Sequence, residues 1–345
     1  MTETTALLDI KGLTVAYRRR GRRGTAVSAV RGIDLTVRRG ETVGLVGESG
    51  SGKSSTAMAV LGLIEATGGV IEYDGEDITH SSRSQRRLLA RRMQVVFQDP
   101  YGSMNPVRTV GDTVAESLRY NLGLPVAEIR ERTAAALEDV GLTPDAAARY
   151  PASFSGGQRQ RLAIARALVM DPEFIVCDEA VSALDLSVQA QVLNLLARLK
   201  ERRGLSYLFI SHDLAVVRHL SDRIVVMYAG RVVEQGPAAR IVESPGHPYT
   251  RALIDAAPVP DPAVQRHRRE ARVRPTATAM SARPAAQGCD FARRCPFAVD
   301  RCQAERPELR THGEVVAACH RFEELAEQLG VVGERGGRGR AIVDK

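Results

Sequence analysis

Two stretches of this 345-residue chain carry residue types at spacings that do chemistry on phosphate. Residues 44–55 read GLVGESGSGKSS, with Gly47, Gly52, Lys53 and Ser54 in the fixed positions of G-x-x-x-x-G-K-[ST]. A short apolar strand (TVGLV) feeds the glycines and a helical pattern begins at Lys53, so backbone N–H groups and a helix N-terminus converge on an anion. Lys53 would reach the outer phosphates, and the Ser54 hydroxyl would ligate Mg²⁺. A metal-bound triphosphate also needs a second carboxylate and a means of activating water. FIVCDEAVSALD supplies both: Asp178 ends an apolar strand and can join the Mg²⁺ shell, while adjacent Glu179 points at the attacking water as general base.

The elements that must hold these residues are legible as periodicities. LLDIKGLTVAY and AVRGIDLTV alternate as strands around an arginine-rich hairpin tip. The helix from Lys53 to Leu63 leads through Gly68-Gly69 into VIEYDGEDI, where Asp74-Gly75 is a two-residue turn signal. SRSQRRLLARR reads as an exposed helix with Leu88 and Leu89 facing inward, followed by the strand MQVVF. Between Pro100 and Pro151 the chain is mostly helical, with VAEIRERTAAALEDVGL stopped at Gly141. Strands (FIVCD, LSYLFIS, RIVVMYAG, RVVEQG) then alternate with helices at about 157–169, 187–203 and 215–220. Such alternation predicts an α/β fold with a mainly parallel sheet covered by helices on both faces.

Between the two phosphate sites stands FSGGQRQRLAIARAL, with Ser155, Gly156, Gly157 and Gln158 opening a helix. This resembles the signature of ABC-type ATPases, and further residues match in the expected order. Tyr17 is the aromatic that would stack on adenine, Gln98 in VFQDP the Q-loop, Ser182, Ala183, Leu184 and Asp185 the D-loop, and His212 in FISHDL the switch histidine. The resemblance spans roughly residues 7–256. It implies a P-loop ABC-type ATPase domain with an antiparallel β subdomain. The implied ATP-binding residues are Tyr17, Gly47, Glu48, Ser49, Gly50, Ser51, Gly52, Lys53, Ser54 and Ser55. Ser54, Gln98 and Asp178 would serve Mg²⁺, and Glu179, His212, Lys53 and Gln98 the chemistry. In the family two such domains dimerise head to tail, so ATP on one phosphate loop is capped by the partner's Ser155–Gln158 segment. Ala180 departs from the Pro that many ABC ATPases carry after the catalytic Glu, which bears on loop stiffness and leaves the carboxylates intact.

VFQDPYGSMNP, CDEAVSALD, HPYTRAL and a late cysteine cluster together resemble the ATPase subunits of bacterial oligopeptide/dipeptide importers, within the peptide and nickel group. That resemblance implies two integral membrane permeases, a second ATPase subunit, identical or homologous, an extracytoplasmic peptide-binding protein acting indirectly, and a peripheral place on the cytoplasmic face of the membrane. ATP binding would close the ATPase dimer and hydrolysis reopen it. Nickel, glutathione or antibiotic-export systems, and a soluble ATPase acting on ribosomes or DNA, stand as alternatives.

Of five cysteines, Cys177 lies in an apolar strand and reads as a buried small hydrophobe. Cys289, Cys295, Cys302 and Cys319 cluster late, without short C-x-x-C knuckles. Four thiolates suit an iron–sulfur cluster, zinc or a small cap of reduced thiols. The resemblance to cluster-containing importer ATPases implies a 4Fe-4S cluster of structural or redox-sensing character.

Composition fits this organisation. The chain is 44% hydrophobic and 26% charged, with no apolar run near the ~18 residues of a membrane span and no secretory leader pattern at MTETTALLDIKG. The net charge of +7 is spread along the chain and Trp is absent, so no nucleic-acid surface is expected. Arg18, Arg19, Arg20, Arg22 and Arg23 crowd one hairpin tip, a solvated loop or a patch for anionic lipid. The expected divisions are an ATP-binding domain at 1–257 with a helical subdomain at about 100–165, a Pro/Ala/Arg linker at 258–288, a four-cysteine module at 289–322 and a flexible tail at 323–345.

Overall fold

Runs of uninterrupted apolar residues become the innermost strands. In the computed structural model, which describes residues 6–18, 26–99, 102, 104–256 and 287–328, β3 (Thr42–Val46), β7 (Phe174–Asp178) and β8 (Ser206–Ser211) are buried along their whole length. The arginine-rich tip at 19–25, residues 258–286 of the expected linker at 258–288, residues 329–345 of the expected tail at 323–345, and Pro100, Tyr101 and Ser103 of the Q-loop stretch lie outside the described residues, while the first part of that tail is helical, at Phe322–Gln328.

The first sheet is antiparallel, ordered β2-β1-β4-β5, from β1 (Ala6–Arg18), β2 (Ala26–Arg38), β4 (Gly68–Tyr73) and β5 (Glu76–Asp77). Asp74 and Gly75 between β4 and β5 both take positive φ (55° and 80°), the conformation of the expected two-residue turn. The second sheet has eight strands ordered β11-β12-β10-β9-β3-β8-β7-β6, with β6 (Met93–Val96), β9 (Arg223–Tyr228), β10 (Arg231–Pro237), β11 (Arg310–His312) and β12 (Val315–Ala317). Pairing is parallel from β9 through β3, β8 and β7 to β6, and antiparallel beyond β9. The cysteine-bearing region extends this sheet: β12 pairs with β10, setting Ala317 opposite Glu234.

Helices connect and cover the strands: α1 (Lys53–Val60), α2 (Arg83–Arg92), α3 (Val110–Val114), α4 (Glu116–Asn121), α5 (Val126–Asp139), α6 (Gly156–Leu168), α7 (Leu186–Arg203), α8 (Leu214–Leu220), α9 (Ala238–Glu243) and α10 (Pro248–Ala256). Because successive strand side chains face opposite ways, the large sheet serves two cores. Phe174 and Val176 join Leu45 and α1 beneath the antiparallel sheet, while Ile175 and Cys177 join α6 and α7 on the other face, together with Phe291 and Val315 from the C-terminal region. Cys177 is fully buried there, the small hydrophobe it was expected to be.

One expectation fails in α2. Leu88 is 58% exposed, and only Leu89 packs against the core. Neighbouring helix positions are about 100° apart, and this short arginine-rich helix turns a single apolar position inward.

Candidate functional site

Parallel strands that share a direction bring their C-terminal ends to one edge, where ligands of α/β proteins bind. Strand order β3-β8-β7-β6 therefore gathers the phosphate loop after β3, His212 after β8, and Asp178 and Glu179 at the end of β7. Val96 of β6 is level with Cys177, and Gln98 follows exposed, two residues past Val96, on the same edge of the sheet.

The phosphate loop is shaped by its glycines. Gly52, with φ of 104°, opens α1, and a Cβ on it would lie 2.5 Å from the Ala29 carbonyl oxygen, so backbone conformation and close packing both demand glycine. Lys53 Nζ donates to the carbonyls of Gly47 (2.7 Å) and Glu48 (3.0 Å). Burial lowers the Lys53 pKa, opposed by the charges of Glu179, Asp178 and Glu48. Ser54 Oγ donates to Asp178 Oδ1 at 3.1 Å, bringing the two expected metal-shell residues together. Burial raises the Asp178 pKa, Ser54's hydrogen bond opposes that, and Glu179's charge adds to it. A hydroxyl beside a buried carboxylate is an all-oxygen donor pair that suits a hard Mg²⁺ ion also held by phosphates.

Glu179 adopts a left-handed backbone (φ 51°), rare for a residue with a side chain and a conformation that costs of order 1–3 kcal/mol. Both sides of the residue are locked. Its N–H donates to the Ile210 carbonyl (3.0 Å), and its own carbonyl accepts from Ser182 N (3.1 Å) and Ser182 Oγ (3.0 Å). This geometry sets Glu179 Oε2 3.5 Å from His212 Nδ1. Tyr17, 43% exposed, places its hydroxyl 3.1 Å from Ser55 Oγ, with much of the ring open to a stacking partner.

The Ser155–Gln158 segment forms a reciprocal cap on α6, in which Gln158 N donates to Ser155 Oγ (3.3 Å) and Ser155 N donates to Gln158 Oε1 (3.0 Å). Since the Ser155 hydroxyl accepts in this cap, its own proton is left to donate elsewhere. A Cβ on Gly157 would collide with the Val188 side chain, whereas one on Gly156 would meet nothing within 4 Å. Packing inside the chain thus explains Gly157 and not Gly156. Asp185 caps α7 through Val188 N (3.0 Å), and the next residue, Leu186, is 84% exposed. Ala183 and Leu184 lie in the turn between Glu179 and that cap.

Residues that sequence reasoning did not assign to the site also hold the phosphate loop. Glu48 N donates to the hydroxyl of the buried Tyr249 at 2.8 Å, and the Glu48 carboxylate receives both terminal nitrogens of Arg294, at 2.7 and 2.8 Å. Tyr249 stood in HPYTRAL and Arg294 beside Cys295, yet no local spacing ties either to Glu48, the latter 246 positions away.

Cys289, Cys295, Cys302 and Cys319 carry free thiols and line one cavity, with Phe291, Phe297 and His247 among its walls. Burial pushes Cys295 up to about 12, Cys319 up to about 11 and Cys289 upward as well. Among the described residues no three His, Cys, Asp or Glu side chains gather as a set able to hold a metal ion, so the expected 4Fe-4S centre finds no ligand set.

Comparison with known proteins agrees with this geometry. The ABC transporter family matches residues 30–182, and the oligopeptide/dipeptide transporter C-terminal region matches residues 233–302. The chain is 45% identical to the di/tripeptide transport ATP-binding protein DppF of Pseudomonas aeruginosa, covering 87% of this chain and 91% of that one. The chain belongs to the ABC transporter ATP-binding proteins. This ABC ATPase is also 44% identical to the oligopeptide transport ATP-binding protein OppF of Salmonella typhimurium, over 87% of its own length and 89% of that relative. Among solved structures it resembles cbiO1 of Clostridium perfringens, part of the cbiONQ transporter complex (TM-score 0.61, 28% identity, 68% of this chain and 90% of that one). It also resembles the dimeric ATP-binding cassette MJ0796 bound to ADP and Pi (TM-score 0.60, 27% identity, 67% and 98%). The fold is that of an ABC ATPase, and the chemistry is Mg²⁺-dependent ATP hydrolysis coupled to transport. Among the described residues no helix is long and apolar enough to cross a membrane.

Proposed function

We propose that this ABC ATPase is the motor subunit of an importer for oligopeptides or dipeptides. The observation that carries the reading is the convergence of Lys53, Ser54, Asp178, Glu179 and His212 on one sheet edge, in a chain that also carries the oligopeptide/dipeptide transporter C-terminal region. In this reading the glycine-rich loop from Gly47 to Gly52 cradles the phosphates with Ser49, Gly50 and Ser51. Lys53 neutralises the outer phosphates. Ser54, Gln98 and Asp178 would hold Mg²⁺, which would supply charge neutralisation at the phosphates, and Tyr17 stacks on the adenine. Glu179 accepts a proton from the attacking water as its oxygen bonds to the γ-phosphorus and the bond to the bridging oxygen of ADP breaks. His212 orients that water and the γ-phosphate.

One chain supplies two half-sites. The segment Ser155, Gly156, Gly157, Gln158 caps ATP held by a second ATPase subunit, identical or homologous, and Ser182–Asp185 lies along the same interface. The open space at Gly156, the exposed Leu186 and the dimeric relative bound to ADP and Pi support this. Two membrane permeases receive the closing motion and a peptide-binding protein delivers cargo outside, so the subunit works at the cytoplasmic face of the membrane. Residues 1–257 act as the ATP-binding domain, with the cysteine-bearing 289–322 docked on it. The four cysteines line one cavity of that segment as free thiols.

The test is recovery of the tagged chain from its native membranes, with identification of its partners. Two multi-span permeases are expected. Ribosomal or DNA-repair partners would overturn the importer.

A further inference from the structure

Among the described residues, Glu48 in the phosphate loop is tied at its backbone N–H, its carbonyl and its side chain. Its N–H goes to Tyr249, its carbonyl accepts from Lys53 Nζ and from Ser51 N at 3.1 Å, and its carboxylate takes the Arg294 fork. The fork is seated as well as charged. The Arg294 guanidinium carbon lies 5.7 Å from the Tyr228 ring centre and 5.6 Å from that of Phe291, and the side chain is only 20% exposed. Tyr228, Tyr249 and Phe291 pack together with ring centres 4.6 to 5.4 Å apart, one from β9, one from α10 and one from the cysteine-bearing segment. A second tie lies nearby, where buried Asp290 accepts from Arg31 at 2.9 Å. Both ties come from residues adjacent to cysteines of the shared cavity.

We infer that Arg294 is a positioning residue for ATP binding: from outside the nucleotide-binding core it holds Glu48 and with it the shape of the phosphate loop. The inference rests on the loop being the ATP site. Two physical effects follow. A loop anchored at Glu48 spends a larger fraction of time in the anion-receiving shape, and apparent affinity scales with that fraction. The guanidinium also neutralises a carboxylate whose charge is felt at Lys53, in the loop that would receive the phosphates. Arginine is required for the two-point grip, because lysine offers a single point charge.

The test is MgATP binding by the full chain, measured by calorimetry for wild type, Arg294→Met, Arg294→Lys, Glu48→Gln and the Arg294→Met/Glu48→Gln double variant, with Lys53→Ala as control. ATPase kinetics follow in the assembled transporter. Arg294→Met should weaken ATP binding roughly three- to tenfold, Arg294→Lys by an intermediate factor, and the loss should fall on KM more than on kcat. In the Glu48→Gln background, Arg294→Met should add less than about twofold, because the partner it acts through is gone. Equal binding by wild type and Arg294→Met, or independent multiplication of the two effects, overturns the inference while loss of binding in Lys53→Ala leaves the ATP site standing. Unchanged binding in Lys53→Ala overturns both. Should Arg294→Met fail to fold, the Arg294→Lys and Glu48→Gln pair decides by the same non-additivity.

Discussion

His212 Nδ1 stands 3.5 Å from Glu179 Oε2, although the two residues leave different strands, β8 and β7. The pairing depends on the left-handed backbone at Glu179, held by the Ile210 carbonyl on one side and Ser182 on the other. A carboxylate so fixed is pre-organised to take a proton, and the imidazole beside it is placed to sense what the carboxylate faces.

The Ser54–Asp178 hydrogen bond leads to a metal prediction. Asp178→Asn should bind ATP in the presence of a chelator much as wild type does, yet lose most of the affinity that Mg²⁺ adds, with turnover falling toward background. Calorimetry with and without Mg²⁺ checks this. An undiminished Mg²⁺ effect in the variant would remove Asp178 from the metal shell.

The two signature glycines should separate stability from function. Gly157→Ala drives a methyl into Val188 and should cost about 1–3 kcal/mol in denaturant unfolding. Gly156→Ala meets open space and should stay within ~0.5 kcal/mol of wild type, while ATP turnover in the assembled transporter drops because the methyl stands where the partner's nucleotide is capped. Full turnover in Gly156→Ala would argue against that capping role.

Glu234 predicts a pH signature. Burial pushes its carboxyl up to about 7, against the opposing N–H groups of Gly246 (2.6 Å) and His247 (3.2 Å). The folded state therefore holds more protons than the unfolded one between about pH 4.5 and 7, and stability from this group falls as pH rises through that window. Relative to Glu234→Gln, wild type should lose on the order of 2–3 kcal/mol between about pH 4 and 8. His247, whose pKa burial lowers to about 4, titrates in both proteins and cancels in the difference. A stability difference that stays flat across this range would show that Glu234 does not titrate as its burial requires.

Much of this was legible because local pattern and global fold agree. The apolar runs before Gly47, Asp178 and His212 read as buried strands, and residues placed at strand ends in one direction must meet at one edge. Asp74-Gly75 was legible because few residue pairs take two positive φ values. Leu88 misled because hydrophobicity alone does not say which side of a short surface helix meets the core. The grip of Arg294 on Glu48 and of Tyr249 on the same residue was illegible, since it depends on how the region after residue 287 docks on the large sheet, which no periodicity encodes. The four cysteines were legible as a set, and the cavity they share arises from the same docking.

The most direct measurement is MgATP binding and hydrolysis by Glu179→Gln in the assembled transporter. The substitution removes the proton acceptor and leaves Ser54, Asp178 and Lys53 in place. Binding should remain within about threefold of wild type while hydrolysis falls by roughly 10²- to 10⁴-fold, with the ATP-bound dimer accumulating. Near-normal hydrolysis in this variant would contradict the assignment of Glu179 as the base on which the motor turns.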